Sequence, residues 1–569
     1  MVCAAAQQPL WWAKFTSAGL GRPLGPVIFM DSSQRIEALE ERIAELEQLL
    51  AAERSRGHRA AVHQALMDDR LLILERNRLF RLWGELYRAA ARVYGRINPK
   101  SARYGGLSDL RTPGDYARWV NREPQELPPE DPPLTAGPLI SVLTNASLES
   151  LSGQSYPHWE RVTEAAAAKG EFILALQPGD RLSPHALHRY AQAHRQDDSA
   201  ALLYSDEDHI DTAGNRTAPW FKPGWSPELL RSAMYLGRSI LYRRDLFLEH
   251  ESSQDMALRI SEKNPRAVHI PQVLYHRACE PCRVSLRPAS QYQAPAETKL
   301  TLIVCSRQIR QVRECLEAVQ TTRAFASEVL VVHHLDAESG DDMRQYVERF
   351  GGTWIPYRGA FDFARMNNLA ASRATAPYLL FMNDDVLVRQ PGWDRAIAAT
   401  LARPEIGVAG AVLEYPNGAI QHAGVVVGMG DAAGHCGRFQ MTSELWPWLR
   451  MSRDVSAVTG AMLGIRSDLF RQMGGFDQAF PINYNDVDLC LRVRKAGLRV
   501  VCLNLGEVVH RESQTRIGGA RYHERDVLYK RWTSVLSHPD EFYSPHLAPT
   551  ERIALNLPCA IGFSLSFPP

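Results

Sequence analysis

The sequence has almost no net charge, few cysteines and no long apolar run. Its 569 residues carry 65 Lys and Arg against 64 Asp and Glu, so no global field favours nucleic acid or an anionic membrane. The nine cysteines are scattered, which is typical of reduced thiols, and the Cys279/Cys282 pair lacks the second pair of a zinc site. No stretch reaches the roughly 18 to 20 apolar residues of a membrane span. We therefore expect a cytoplasmic protein without a nucleic-acid partner, and leave open a peripheral attachment at the inner face of the cytoplasmic membrane.

The composition is otherwise that of a globular protein, and the chain divides into segments of different character. Residues 1–32 lack a signal-peptide core and are predicted to be a disordered extension. Residues 33–98 are predicted to be helical with a short coiled coil, because Ile36, Leu39, Ile43, Leu46 and Leu50 form an a/d seam. That seam serves either a homo-oligomer or packing on its own chain. Residues 99–137 are predicted to be a linker and 549–569 a tail.

Two regions, 138–295 and 296–548, repeat the same landmarks in the same order. Each has a glycine, an arginine followed by Asp-Leu-Phe, and an Asp-x-x-Leu-Arg word, at Gly237, Arg243 and Asp255 and again at Gly460, Arg466 and Asp488. The repetition predicts a duplicated domain. Within the second region, strand patterns at 300–305, 329–332 and 378–382 alternate with helical patterns at 312–319, 343–350 and 363–373. This alternation predicts βαβ units and a mainly parallel sheet.

Two acidic clusters lie about a hundred residues apart in the second region. Asn-Asp-Asp at 383–385 follows a predicted strand, at the end where open α/β sheets bind ligands. Asn-Asp-x-Asp at 485–488 is the other. Such pairs suit a reaction in which a divalent cation neutralises a departing diphosphate and a second carboxylate accepts a proton. Each cluster has a plainer reading, since 384–385 could be a solvated turn and 486–488 the first turn of a helix.

A series of longer words extends this pattern: FDFARMNN at 361–368, YLLFMNDD at 378–385, YPNGAIQHAG at 415–424, VSAVTGA at 455–461, GGFD at 474–477, NDVDLCLR at 485–492, HRESQTR at 510–516 and DEFYSP at 540–545. In these words the sequence resembles the inverting family 2 glycosyltransferases, in particular bacterial rhamnosyltransferase-like enzymes with tandem GT-A domains. The resemblance covers residues 299–548 well and residues 138–290 in part.

The resemblance implies an α/β fold with a GT-A catalytic domain, Rossmann-like with a mixed, mainly parallel sheet, over 296–548. A degenerate GT-A-like domain over 138–295 and the N-terminal helical segment would precede it. Implied roles are a Mg²⁺ or Mn²⁺ site at Asp385 and His510, a catalytic base at Asp486, donor contacts at Asn368, Asn383, Asp384 and His333, and acceptor-side positions at Gly460, Ala461 and Asp488. A plain strand-end histidine at His510 and a helix polar residue at Asn368 stay open.

Departures from the family pattern fall on nucleotide recognition and on the first region. The first strand ends Cys305-Ser-Arg-Gln308 instead of Pro-Thr-Arg-Asp, and His333 replaces the Asp that holds the base, with Asp336 three residues on. Residues 177–179 replace the acids of the metal motif and leave only Asp180. A strand-helix unit is missing between residues 141 and 171. We expect this region to be catalytically inactive, a packing partner or glycan-docking surface, although the acids at 206–208 survive.

The leading hypothesis is a metal-dependent inverting transfer from a nucleotide-diphosphate sugar to a glycan or lipid-linked glycan. The product would be a bacterial surface polysaccharide such as O-antigen or capsule. The alternative is a catalytically inactive glycan-binding or assembly protein of a polysaccharide-making complex. A nucleotidyltransferase would need a Gly-rich phosphate loop after the first strand, and residues 306–310 contain no glycine.

Overall fold

The computed structural model describes residues 113–121, 123, 134, 136–145, 151–262, 266–278, 299–325, 327–335, 341–430, 432–440, 447–511, 522–549 and 553. These residues belong to one compact unit, Ser108–Pro558. The predicted extension 1–32, the predicted coiled coil 33–98, the Cys279/Cys282 pair and Asp336 lie outside the described residues.

The first half of the unit is built on a sheet with helices between its strands. We call the segment from β1 to β8 the N-terminal copy. Its elements, with a preceding helix, are α1 (Pro113–Val120), β1 (Ile140–Leu143), β2 (Trp159–Val162), β3 (Phe172–Ala175), β4 (Arg181–Leu182), α2 (Ala186–Gln196), β5 (Leu202–Ile210), β6 (Arg216–Trp220), α3 (Pro227–Ser232), β7 (Ile240–Arg243), α4 (Ser253–Glu262) and β8 (Ala267–Arg277).

The second half, from β9 to α11, is the C-terminal copy. Its elements are β9 (Leu300–Ser306), α5 (Ile309–Thr322), β10 (Glu328–His334), α6 (Asp341–Phe350), β11 (Thr353–Tyr357), α7 (Phe363–Ala371), β12 (Tyr378–Asn383), β13 (Val386–Val388), α8 (Trp393–Leu401), β14 (Ile406–Ala411), β15 (Leu413–Glu414), β16 (Ile420–His422), β17 (Val425–Val427), β18 (Ala433–His435), β19 (Arg453–Asp454), β20 (Met462–Arg466), α9 (Ser467–Gln472), α10 (Asn485–Lys495), β21 (Arg499–Leu503), β22 (Val508–His510) and α11 (Tyr522–Leu536).

The two large sheets share one strand order. The first runs β2-β1-β3-β7-β5-β8 and the second β10-β9-β12-β20-β14-β21. In each, the first two pairs are parallel, the next two antiparallel and the last parallel. Each copy also has one short antiparallel pair. In the N-terminal copy β4 pairs with β8, and in the C-terminal copy β13 pairs with β22. The topology therefore repeats, as the landmark residues predicted, and the mixed, mainly parallel GT-A-like sheet is confirmed.

The sheet of the C-terminal copy is covered on both faces. Alternate residues of its strands belong to two different hydrophobic clusters, one on each face. Leu302, Val304 and Leu380 pack with buried residues of α5, α6 and α8. Ile303 and Phe381 pack with α7 and α10 in a cluster that continues into the N-terminal copy. Strands buried on both faces explain the near-continuous apolar runs of the sequence.

A buried polar contact also joins the copies. Asp454 on β19 accepts hydrogen bonds from the Ser226 hydroxyl (2.8 Å) and the Glu228 main chain (3.1 Å), at the start of α3. Arg499 donates to the same carboxylate at 2.7 Å. The two copies are therefore held together by shared core and by a paired carboxylate.

The structure corrects three details of the sequence predictions. Helix α1 lies within the predicted linker 99–137, and its Tyr116 hydroxyl donates to the buried Asp208 carboxylate at 2.6 Å. Strand β11 was not predicted. Between β1 and β3 the N-terminal copy keeps a strand, β2, and among its described residues has no counterpart of α5, α6, β11 or α7.

None of the helices within the described residues is both long and apolar enough to cross a membrane.

Candidate active site

The Asn-Asp-Asp cluster lies at the carboxyl end of β12, in the turn that leads to β13. Because β12 runs parallel to β9 and antiparallel to β20, this turn lies beside Ser306 and beside the chain that enters β20. The Asn383 main-chain N–H donates to the Ala461 carbonyl at 3.0 Å. The cluster is therefore fixed next to residues 460–461.

Asp385 and His510 form the centre of this edge. His510 Nε2 lies 3.0 Å from Asp385 Oδ1 and 3.3 Å from the Asn383 amide nitrogen. His510 Nδ1 lies 2.6 Å from the Gln421 side-chain oxygen. Asp385 is 6% exposed. Adjacent strands hold the pair, since Val386 of β13 is the register partner of His510 on β22.

Asp384 is the member of the cluster whose ionised form is disfavoured. Its Oδ2 accepts a hydrogen bond from the Ser306 hydroxyl at 2.5 Å. Burial, with the neighbouring Asp385 carboxylate, raises the pKa of Asp384 to about 7 against the lowering effects of Ser306 and His510. Two close carboxylates at a buried edge favour a proton or a cation.

The residues present fit a divalent cation held jointly with a substrate. His510 Nδ1 lies within hydrogen-bond distance of the Gln421 oxygen, and Nε2 faces Asp385 and Asn383. Asp385 Oδ1 and His510 Nε2 lie 3.0 Å apart, so both side chains could hold the same cation. Within the described residues no group of three or more His, Cys, Asp or Glu forms a cage. Phosphate oxygens and water would have to complete the coordination.

Asp486 lies in the first turn of α10. Its Oδ2 accepts from the Gly460 main chain at 2.7 Å and its Oδ1 from Val487 at 2.8 Å. The preceding Tyr484 adopts a left-handed conformation (φ 59°), an unfavourable state for an aromatic residue that the neighbouring structure must hold. The Glu524 carboxylate of α11 accepts from the main chain of residues 482 and 483 and supports this turn.

The two acidic clusters are joined by two consecutive residues. Asn383 bonds to Ala461, and the next residue back, Gly460, bonds to Asp486. A β-carbon added to Gly460 would lie 3.3 Å from the Phe363 ring and 3.6 Å from Asp486. The close approach that glycine allows here brings the predicted base to the same edge of the sheet as the predicted metal ligands.

Two predicted site residues have their polar atoms engaged inside the protein. The Asn368 amide donates to the Phe476 carbonyl (2.7 Å) and accepts from the Phe476 N–H (2.9 Å), so it pins that loop to α7. The Asp488 carboxylate is fully buried and accepts from Arg492, Arg531 and Trp532 at 2.8 to 3.0 Å. Asp488 holds α10 against α11, and an acceptor-side role for Asp488 and a donor contact by Asn368 stay predictions.

The histidines at the end of β10 point to different surroundings. His333 Nδ1 accepts a hydrogen bond from the Trp354 indole at 3.3 Å. His334 Nε2 donates to the Gly359 carbonyl at 2.8 Å, and its buried Nδ1 lacks a hydrogen-bond partner within the described residues. The rings of Tyr357 and Phe361 lie 5.8 and 5.7 Å from that of His334. Donor binding by His333 stays a prediction.

Sequence reasoning missed Gln421 and His422, on β16. His422 is fully buried, and its Nε2 accepts from the Thr459 main chain at 3.3 Å, one residue before Gly460. Its Nδ1 lies 2.8 Å from His435 Nδ1 and must carry the proton that they share. Burial, aided by His435 and nearby cations, holds the pKa of His422 well below its ordinary value. The only signal was their place in the word at 415–424.

The N-terminal copy has an arginine where the C-terminal copy has its candidate metal site. By register, Asp180 and His276 are equivalent to Asp385 and His510, and Arg238 is equivalent to Ala461. The Arg238 guanidinium pairs with Asp180 at 2.9 Å, and the Tyr275 hydroxyl donates to the same carboxylate at 2.6 Å. His276 pairs instead with Asp208 at 2.6 Å.

The chain is similar in sequence to known proteins. Residues 295–527 match the family described as "Glycosyltransferase like family 2". The chain is 32% identical over 448 residues to the O-antigen biosynthesis protein RfbC of Myxococcus xanthus, covering 68% of this chain and 34% of that protein. It is 28% identical over 447 residues to the uncharacterized protein y4gI of Sinorhizobium fredii, covering 67% and 49%. The chain thus spans a third to a half of the length of these relatives.

Among solved structures, GalNAc-T7 with UDP, GalNAc and Mn²⁺ is similar at 10% identity and a TM-score of 0.35, over 42% of this chain and 50% of that one. The sequence match defines residues 295–527 as a glycosyltransferase-like domain. That domain, residues 295–527, belongs to the family 2 glycosyltransferases.

Proposed function

We propose that the C-terminal copy transfers a sugar from a nucleotide-diphosphate donor to a glycan hydroxyl, with inversion and with the help of Mg²⁺ or Mn²⁺. The observation that carries the proposal is the pairing of Asp385 with His510 at the same sheet edge as Asp486. Asn383, linked to Ala461, connects the two sides.

The base side is Asp486. Each oxygen of its carboxylate accepts one main-chain N–H, which leaves further lone pairs for an acceptor hydroxyl. Asp486 takes the hydroxyl proton as the acceptor oxygen bonds to the anomeric carbon. The bond from that carbon to the diphosphate oxygen breaks, and the nucleoside diphosphate leaves with the electron pair. General-base assistance of this kind contributes about 10²- to 10⁴-fold.

The leaving-group side is Asp385 and His510, which would hold the cation. When bound, a divalent cation supplies charge neutralisation for the departing diphosphate. Asn383 holds its amide against His510, and Ser306 holds Asp384. Fixed donors and acceptors of this kind act without reorganising during the reaction.

The acceptor we propose is a growing bacterial surface polysaccharide. Similarity to a protein named for O-antigen biosynthesis supports this substrate class. O-antigen and capsule remain the two candidate products.

The N-terminal copy, in this proposal, binds no donor. Its equivalent of Asp385 is neutralised by Arg238, so a dication would meet a fixed positive charge. Its role is to support the C-terminal copy or to dock glycan.

The proposal is tested by sugar transfer from a panel of UDP-, GDP- and dTDP-sugars with Mn²⁺. Asp385→Ala and Asp486→Asn should each lower turnover by at least about 10²-fold. Asp342→Asn, at an exposed position on α6, is the matched control and should be unchanged. Turnover by both site variants at the control rate would remove the assigned roles. Metal-independent glycan binding without turnover of any donor would favour the assembly protein.

A further inference from the structure

Strand β16 carries a side chain that contacts His510 of the candidate site. It is the last strand of the small sheet β13-β22-β15-β16, which also carries His510. Gln421 is 5% exposed and reaches His510 across the intervening β15.

We propose that Gln421 is a positioning residue that fixes the metal-binding tautomer of His510. The inference rests on the proposed function, because it concerns the same cation site. A histidine ligand needs an unprotonated nitrogen directed at the ion, and the group bonded to its other nitrogen decides which one that is.

The contact geometry gives the direction of this effect. The Gln421 side-chain oxygen, 2.6 Å from His510 Nδ1, accepts the proton of that nitrogen. Nε2 then keeps its lone pair, and it lies 3.0 Å from the carboxylate oxygen of Asp385. Asn383 agrees with this tautomer, because its amide N–H₂ group faces Nε2 at 3.3 Å and can only donate.

Without Gln421 the ring proton would be free to move to Nε2. That nitrogen would then donate to Asp385, and the imidazole and the carboxylate would satisfy each other. The cation would have to displace a hydrogen bond and a proton. Loss of such an outer partner typically costs a metal site 10- to 100-fold in affinity.

The test compares Gln421→Leu with Gln421→Glu. Glutamate keeps an acceptor oxygen facing Nδ1, and leucine does not. The probe is Mn²⁺ with UDP, GDP or dTDP, measured by electron paramagnetic resonance of free Mn²⁺. Gln421→Leu should weaken Mn²⁺ binding by about 10- to 100-fold relative to wild type. Gln421→Glu should bind Mn²⁺ with an affinity within about threefold of wild type. Equal affinities for wild type and Gln421→Leu, or equal losses in both variants, would overturn the inference.

A measurement on the unaltered chain guards against a variant that fails to fold. In ¹⁵N-histidine NMR of the protein with Mg²⁺ and UDP, with His510 assigned by comparison with His510→Gln, the ring should carry its proton on Nδ1. A proton on Nε2 overturns the inference whatever the variants do. Failure of the proposed function is distinct: wild type and Asp385→Ala would then show the same diphosphate-dependent Mn²⁺ binding, or none.

Discussion

At the scale of single residues, Asp384 shows the cost of burying a carboxylate beside a second carboxylate. Its pKa, raised to about 7 chiefly by burial, means that the folded metal-free protein binds a proton that the unfolded chain has lost. The free energy of unfolding should therefore decrease as pH rises from about 4 to about 7.

Asp384→Asn should remove this pH-dependent loss, because asparagine is neutral and can still accept from Ser306. In EDTA, its stability advantage over wild type should grow by about 3 kcal/mol between about pH 5 and about pH 8. Urea unfolding at both pH values measures it. An advantage that is the same at both would show that Asp384 ionises normally.

Asp486 and Asp488 lie two residues apart on α10 and should respond to substitution in opposite ways. Asp488 compensates Arg492 and Arg531 in the interior, so Asp488→Asn should lower the free energy of unfolding by about 3 kcal/mol or more. Asp486→Asn should lower the free energy of unfolding by only about 1 kcal/mol, because it loses one of two main-chain hydrogen bonds at a half-buried position, and it should abolish most turnover. Unfolding and turnover measured on both variants decide the point, and a stability loss confined to Asp486→Asn would reverse the two assignments.

Residue placement was predictable from the sequence where a whole ordered series of words identified the position: Asp385, His510 and Asp486 lie at one sheet edge, and their chemical roles stay predictions. Gln421 was not predictable, because its contact joins side chains 89 positions apart and glutamine alone indicates no chemistry. Asn368 and Asp488 matched functional words but their polar atoms are used by Phe476 and by Arg492 and Arg531. The sequence pattern predicts where a residue lies in the fold, but the contacts of its side chain depend on the tertiary structure.

At the scale of elements, the duplicated strand order places Asp180 where the C-terminal copy has Asp385. Asp180 is buried and pairs with Arg238, so we expect it to contribute to stability instead of binding a cation. Asp180→Asn should therefore lower the midpoint of urea unfolding and leave metal-dependent turnover unchanged at temperatures where the variant is folded. Asp385→Asn is the matched comparison: it should lower metal-dependent turnover and leave the midpoint of urea unfolding unchanged. A loss of turnover in Asp180→Asn equal to that of Asp385→Asn would mean that the N-terminal copy is active.

Strong periodicity made the central elements predictable. The predicted strands 300–305, 329–332 and 378–382 lie within β9, β10 and β12, and the predicted helix 343–350 lies within α6. Strand β11 was missed because it is an edge strand of only five residues that contains a proline, Pro356. Helix α1 was missed because the flanking proline-rich sequence dominated, although Tyr116 and Trp119 are buried.

At the scale of the whole described unit, the two copies share a core that no sequence pattern could indicate. Leu229 of α3 and Leu463 of β20 belong to one hydrophobic cluster. Asp454 adds a buried charge that is compensated by Arg499 and bonded to α3. The copies should therefore unfold together.

Asp454→Asn should lower the unfolding temperature of both copies in a single calorimetric transition, because it leaves Arg499 partly uncompensated in the shared interface. The expected loss is about 3 kcal/mol. Ser199→Ala, at an exposed position, serves as the control. Two transitions of which one alone shifts would show that the copies are independently stable.

The most direct test of the central claim separates cation binding from proton transfer in the same cleft. Diphosphate-dependent Mn²⁺ binding and sugar transfer are measured side by side for wild type, Asp385→Ala and Asp486→Asn. The account predicts that Asp385→Ala loses both, whereas Asp486→Asn keeps Mn²⁺ binding and loses transfer. Undiminished Mn²⁺ binding by Asp385→Ala, or undiminished transfer by Asp486→Asn, would contradict it.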